Sequence, residues 1–141
     1  MRMLMWHVDS FASRVTKRGR SPLTEEVTQP EIAVGDALLV MASIEKSDEA
    51  SPDVVAKRTA AEIERHAQQL GVDTVVLHSF AHLFGELARP KVAIQVLDQC
   101  EAALKAADFQ VEHTPFGWFN TLDLQAKGHP LSRVARTITA D

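Results

Sequence analysis

Few side chains in this sequence can move protons or hold metals, and they are scattered. Six histidines, His7, His66, His78, His82, His113 and His129, and one cysteine stand among 141 residues. No HExxH, no CxxC and no histidine pair at ligand spacing on one helix is present, so no metal is expected. His78 and His82 are four apart in "HSFAH", but that segment reads as a strand running into a loop. The GxSxG elbow, the P-loop and the GxGxxG turn are absent, which removes the usual marks of serine hydrolases, NTPases and dinucleotide enzymes. Cys100 falls on an apolar helix stripe and reads as a small core residue. What remains conspicuous is "PFGWFN", Pro115 to Asn120. Its aromatic rings and single amide are poor proton shuttles but suitable walls and hydrogen-bonding groups.

The elements that must hold these residues follow from periodicity. With 45% hydrophobic residues, a chain of this length fills one core and hardly two, so residues 1–141 read as a single domain. Met1 to Val8 is apolar almost throughout, as in a strand covered on both faces. "FASRVTKR" (11–18) alternates as a second strand, and 19–36, with two glycines, two prolines and several turn formers, reads mostly as loop. Ala37–Lys46 is a third, strongly apolar strand. Ser51 as N-cap, Pro52, Asp53 and the terminator Gly71 bound a helix with Ala56, Ala60, Ile63, Ala67 and Leu70 facing the sheet. "VDTVVLHSF" is a strand, and a second helix runs from about Pro90 to Ala107, with Ala93, Val96, Leu97, Cys100, Leu104 and Ala107 as its apolar stripe. "FQVEHTPF" and "WFNTLDLQA" close the sheet. Alternation in the last of these sends Trp118 and Asn120 to one face and Phe119 to the other. The fold class is α/β (α+β), a sheet with two main helices.

Net charge of -4 and a pI near 5.8 argue against a protein held to nucleic acid by a broadly basic surface, so RNA contact must be local. The cluster Arg14, Lys17, Arg18 and Arg20 reads first as a solvated face, with tRNA phosphates as its alternative contact. No apolar run approaches a membrane span, and no secretory leader is evident. The expected location is the cytoplasm, with no membrane partner.

"MRMLMWHVD", "VMASIEK", "FAHL" followed by "ELARPKVAIQVL", then "PFGWF" and "KGHPLSRVARTI" together resemble the archaeal N-terminal editing domain of threonyl-tRNA synthetase, across essentially the whole chain. The resemblance implies a D-aminoacyl-tRNA deacylase-like fold, a homodimer, no cofactor, and hydrolysis of serine misattached to tRNA(Thr). It leaves open whether the chain is a stand-alone editing protein or the N-terminal part of a synthetase whose synthetic domains are its partners. Carried over onto matching positions, it makes His82 a catalytic residue flanked by Phe80 and Ala81. Phe80, Ala81, Ile44, Ala93, Phe116, Gly117, Phe119 and His7 become substrate-binding residues. The family's better-known members carry Tyr-Lys where this chain has Phe119 and Asn120, and a glutamate where it has Arg133. Asn120 is then the candidate donor that replaces a lysine.

Two explanations of that replacement stay open. Either activity has been lost, or the reaction needs no ionisable side chain, because backbone N–H groups bind the oxyanion and the terminal ribose 2′-hydroxyl orients water. A D-aminoacyl-tRNA deacylase and a non-catalytic module that binds the tRNA 3′ end or dimerises are the competing readings. His82 as a turn-bound structural histidine, and Lys127 and His129 as residues that merely close the "KGHP" turn, are the plain structural alternatives.

Overall fold

The computed structural model describes residues 1–83 and 85–141. One strand organises the sheet. β1 runs from Arg2 to Arg18, so the two strands expected at 1–8 and 11–18 are one. Asp9 and Ser10, which suggest a break, are exposed polar residues on a continuing strand. Against the strand β7 (Asp123–Ala126), the register shifts between Val8 and Ser10, and such a bulge turns the side-chain alternation without ending the strand. Met1, Met3 and Met5 accordingly join one core cluster, and Val8 and Phe11 join another.

Five strands pair with β1, all antiparallel. Arg2–Val8 pairs with β3 (Ala37–Ser43), and Arg2–Trp6 also pairs with β8 (Arg133–Thr137). Phe11–Arg14 pairs with β2 (Glu31–Val34), while Ala12 also faces Asp123 of β7. The last residues of β1 pair with β6 (Trp118–Asn120). Beyond β3 the sheet continues in parallel through β4 (Thr74–Ser79) and β5 (Gln110–His113). Each parallel step is bridged by a helix, α1 (Pro52–Leu70) and α2 (Pro90–Ala106), because parallel neighbours need a long crossover. A 3-10 turn at Lys46–Ala50 precedes α1.

The fold class expected from sequence is the one observed, with both helices near their expected bounds. Ser51 does occupy the N-cap of α1, but its side chain makes no capping bond; Pro52 begins the helix and left-handed Gly71 (φ 71°) ends it. Three further strand expectations need correction. β2 lies inside the stretch expected to be loop, where four residues give too little alternation to notice. "WFNTLDLQA" divides into β6 and β7, since Thr121 and Leu122 break the ladder. β8 falls in a segment read only as the end of a turn motif, and its half-buried, arginine-bearing pattern lacks the apolar density of a central strand.

β3 is buried at all seven positions and separates two apolar layers. Leu38, Val40 and Ala42 pack with Val55, Ile63, Val96 and Leu104 of the helices; Leu39 and Met41 pack with Phe11, Ile32 and Val76 on the opposite face. Cys100 is in the helix-side core, where burial pushes its thiol up to about 12, consistent with an inert packing role. Among the described residues, no helix is long and apolar enough to cross a membrane.

Leu38 has no exposed surface, so Leu38→Ala should lower unfolding free energy by about 2–5 kcal/mol. Urea denaturation measures this, with the transition midpoint falling at little-changed slope.

Candidate functional site

Parallel strands β4 and β5 end side by side, and the crevice beyond such carboxyl ends is where α/β sheets place ligands. Here the crevice is a cavity of about 520 Å³, within the roughly 300–1,000 Å³ span of small-molecule sites. Four segments line it: the end of β4 with the turn through Phe80, Ala81 and His82; the approach to α2 at Leu87, Ala88 and Pro90; the stretch from Thr114 to Asn120 with Leu122; and Ser21 and Pro22 from the loop after β1. No described lining residue is Asp, Glu, Lys or Arg.

His78 is the enclosed ionisable group in the wall. It is 7% exposed, and its Nδ1 lies 2.8 Å from Thr114 Oγ1. Burial lowers its pKa to about 4, so near neutral pH it is an uncharged imidazole available for hydrogen bonding. Phe80 stands between two imidazoles, its ring centroid 6.3 Å from His78 and 5.7 Å, edge-on, from the exposed His82. Opposite, Asn120 Nδ2 donates to buried Ser13 Oγ at 2.6 Å, which fixes the amide against β1.

The loop wall is held by one carboxylate. Glu25 Oε1 accepts the Phe116 N–H at 3.1 Å, and its backbone carbonyl accepts Trp118 Nε1–H at 2.8 Å. Glu25 Oε2 meets His113 Nε2 at 2.5 Å, and His113 Nδ1 meets Glu101 of α2 at 2.7 Å. Burial opposes charge on His113, but its bonds and attraction to Glu25 and Glu101 outweigh that and raise its pKa above the ordinary value. Gly117 adopts φ 85°, and a Cβ there would sit 2.7 Å from Thr24 Cγ2. Gly19, whose N–H donates to Gly117 O at 2.8 Å, is equally confined: its Cβ would meet that oxygen at 2.6 Å.

Of the residues singled out from sequence, His82, Asn120, Phe80, Ala81, Phe116, Gly117 and Phe119 come together around this one cavity. Trp118, Phe119 and Asn120 all line it, although alternation assigns them to two faces; β6 is a three-residue strand at the cavity's edge, so both faces reach the opening. Ile44 (3% exposed) and Ala93 (6%) lie in the helix-side core, outside the lining. Ile44 acts on it from behind, its carbonyl accepting the N–H of the lining residue Ala88 at 3.0 Å. His7 is elsewhere, held between Asp36 (Nε2 to Oδ1, 2.8 Å) and His129 (Nδ1 to Nε2, 2.9 Å). Lys127 also bonds Asp9 nearby. Sequence reasoning missed Thr114, Ser21 and Pro22. His78 was visible in "HSFAH", but only as half of an unpersuasive metal pair. Among the described residues, no group of three His, Cys, Asp or Glu side chains converges as a metal site would require.

Residues 1–138 match the family model described as the archaea-specific editing domain of threonyl-tRNA synthetase. Curated relatives include the threonine–tRNA ligase of Methanobrevibacter smithii, 37% identical over 143 residues. Those of Methanopyrus kandleri and Thermococcus gammatolerans are each 38% identical. All of this chain is covered in each case, but only 22–23% of each relative. A solved structure described as c-Myc DNA unwinding element binding protein superposes with TM-score 0.65, covering 97% of this chain and 98% of the other at 11% identity; that likeness concerns fold alone.

Two consequences of this geometry can be measured. Folding depresses the pKa of His78, so between about pH 6.5 and 4 the unfolded chain binds more protons than the folded one. Stability present above pH 6.5 is lost as pH falls toward 4, on the order of 3 kcal/mol at full effect. Urea unfolding of wild type and His78→Asn across this range should show a steeper loss of stability toward low pH in wild type than in the variant. Gly117→Ala forces a side chain into left-handed backbone and against Thr24, so it should destabilise by more than ~1 kcal/mol and render residues 19–25 more sensitive to protease.

Proposed function

The chain belongs to the archaea-specific editing-domain family of threonyl-tRNA synthetase, and on that premise we propose that it hydrolyses the ester of serine misattached to tRNA(Thr). The chemical need is plain. A synthetic site that recognises threonine discriminates against serine through one methyl group, worth only ~1–3 kcal/mol. A second site that excludes the methyl by shape removes the error.

The observation that carries this reading is the cavity's lack of charged side chains, with its innermost imidazole kept neutral by burial. Such a pocket supplies shape and hydrogen bonds rather than a strong base. The water oxygen attacks the seryl carbonyl carbon, and backbone N–H groups of the turn at Ala81 and His82 stabilise the developing oxyanion. The adjacent 2′-hydroxyl of the terminal ribose orients the attacking water. The C–O bond to the ribose 3′-oxygen then breaks, that oxygen takes a proton, and free serine and uncharged tRNA leave. Asn120, fixed by Ser13, supplies a neutral donor, His82 contacts the acylated end, and Phe116 and Phe119 are apolar walls. The reading includes a homodimer in the cytoplasm that works with the synthetic domains of a threonyl-tRNA synthetase.

The purified chain should deacylate Ser-tRNA(Thr) far faster than Thr-tRNA(Thr) or a D-aminoacyl-tRNA. Preference for the D-amino acid would assign it to the neighbouring deacylase class, and binding without turnover would make it a recognition module. With serine on the 3′-oxygen of a terminal 2′-deoxyadenosine, hydrolysis should fall by at least about 100-fold; an undiminished rate would reject assistance by the RNA.

A further inference from the structure

In a chain of net charge -4, Lys17, Arg18 and Arg20 form an exposed cationic run at the end of β1. Among the described residues, no carboxylate forms an ion pair with any of the three. Surface cations elsewhere are commonly neutralised: Lys46 by Glu86, Arg65 by Glu62, Arg89 by Glu49 and Lys105 by Glu101. The nearest acidic loop residue with a defined role, Glu25, is turned to His113 and Phe116. Arg14, farther back on the strand, faces Glu31 of β2 in register, so the unopposed charge begins at Lys17.

The run is fastened to the cavity's edge. Arg18 pairs with Trp118 and Lys17 with Phe119, both lining residues. Lys17 Nζ lies 5.8 Å from the centroid of the Phe119 ring, and that ring is 53% exposed. Between the two arginines, Gly19 makes its close backbone contact with Gly117, and Arg20 is followed at once by the lining residues Ser21 and Pro22. Unneutralised positive charge is therefore held within a residue or two of an uncharged pocket mouth.

We propose that Lys17, Arg18 and Arg20 are the phosphate-binding track for the single-stranded 3′ end of the tRNA, gripping backbone phosphates just 5′ of the terminal adenosine while its acylated ribose occupies the cavity. This rests on the reading of the cavity as an editing site and adds the surface that delivers the RNA to it. The pocket itself offers no cation to a polyanionic substrate, so attraction must come from its rim. Phosphate contacts position the strand without reading sequence, which suits a 3′ end common to all tRNAs.

The test compares two substrates and one binding probe. The variant Lys17→Gln/Arg18→Gln/Arg20→Gln should lose on the order of tenfold or more in kcat/KM on Ser-tRNA(Thr) relative to its change on 3′-seryl-adenosine, which has no phosphates. Affinity for an uncharged acceptor-stem hairpin, followed by fluorescence anisotropy, should fall, with the log–log salt slope shallower by about 2 for three lost single-strand contacts. Lys57→Gln, on the exposed surface of α1, is the control for loss of a cation away from the cavity. Equal losses on both substrates, or hairpin binding and salt slope unchanged, would overturn the track. If wild type hydrolyses neither substrate, the editing reading fails, and the hairpin measurement still decides whether these cations bind RNA.

Discussion

Everything in this molecule hangs on the hydrogen-bonding edges of one strand. β1 offers a row of backbone donors and acceptors on each side, and β2, β3, β6, β7 and β8 all take their places from it. A strand's side chains alternate with a period of two, so slipping any partner by one residue would send its buried face to solvent. That constraint is strongest where β1 carries Met3 and Met5 beside fully buried β3. It is transmitted to the far end of the strand, where β6 contributes Trp118, Phe119 and Asn120 to the cavity. The position of the candidate donor Asn120 is thus settled by the ladder and by Ser13 of the same strand, not by a flexible loop.

The cavity's electrostatics follow from where ionisable groups are kept out. Carboxylates are close at hand, but they are spent on architecture. Glu25 takes four bonds through its backbone and side chain to the segment 113–118, and Glu101 secures the same histidine from α2. His113, its charged form favoured by both carboxylates, is thereby a rivet between a helix, a strand end and the loop that carries Ser21 and Pro22. In the cavity wall, His78 is uncharged near neutral pH because burial leaves it little water. An enclosure built this way offers shape and hydrogen bonds inside and positive charge at its border.

The sequence makes much of this legible, for identifiable reasons. Helices announce themselves through Pro52, Gly71 and recurring alanines, and β3 through its unbroken apolar run. β8 and β2 escape notice because edge strands with one solvated face resemble turns. In the site, "FAHL" and "PFGWFN" mark two walls that lie far apart in sequence and meet in the fold. The third wall, Ser21 and Pro22, is invisible to local reading, because its position depends on Glu25 reaching His113, 88 residues away. Ile44 and Ala93 carry family weight in the sequence but lie in the core, one step behind the surface. His7 belongs to a separate polar knot with Asp36 and His129.

The pairing of β1 with β8 has a consequence for how the chain is made. Arg2 finds Thr137, and Met1 O accepts the Ile138 N–H at 2.8 Å: β1 is completed by a strand more than a hundred residues further along the chain. Until β8 has been made, β1 carries an open edge, the kind of surface that recruits foreign strands. Closure over so long a separation is also slow. A polypeptide that has made β1 but not yet β8 therefore passes through a period in which its own topology leaves that edge uncovered.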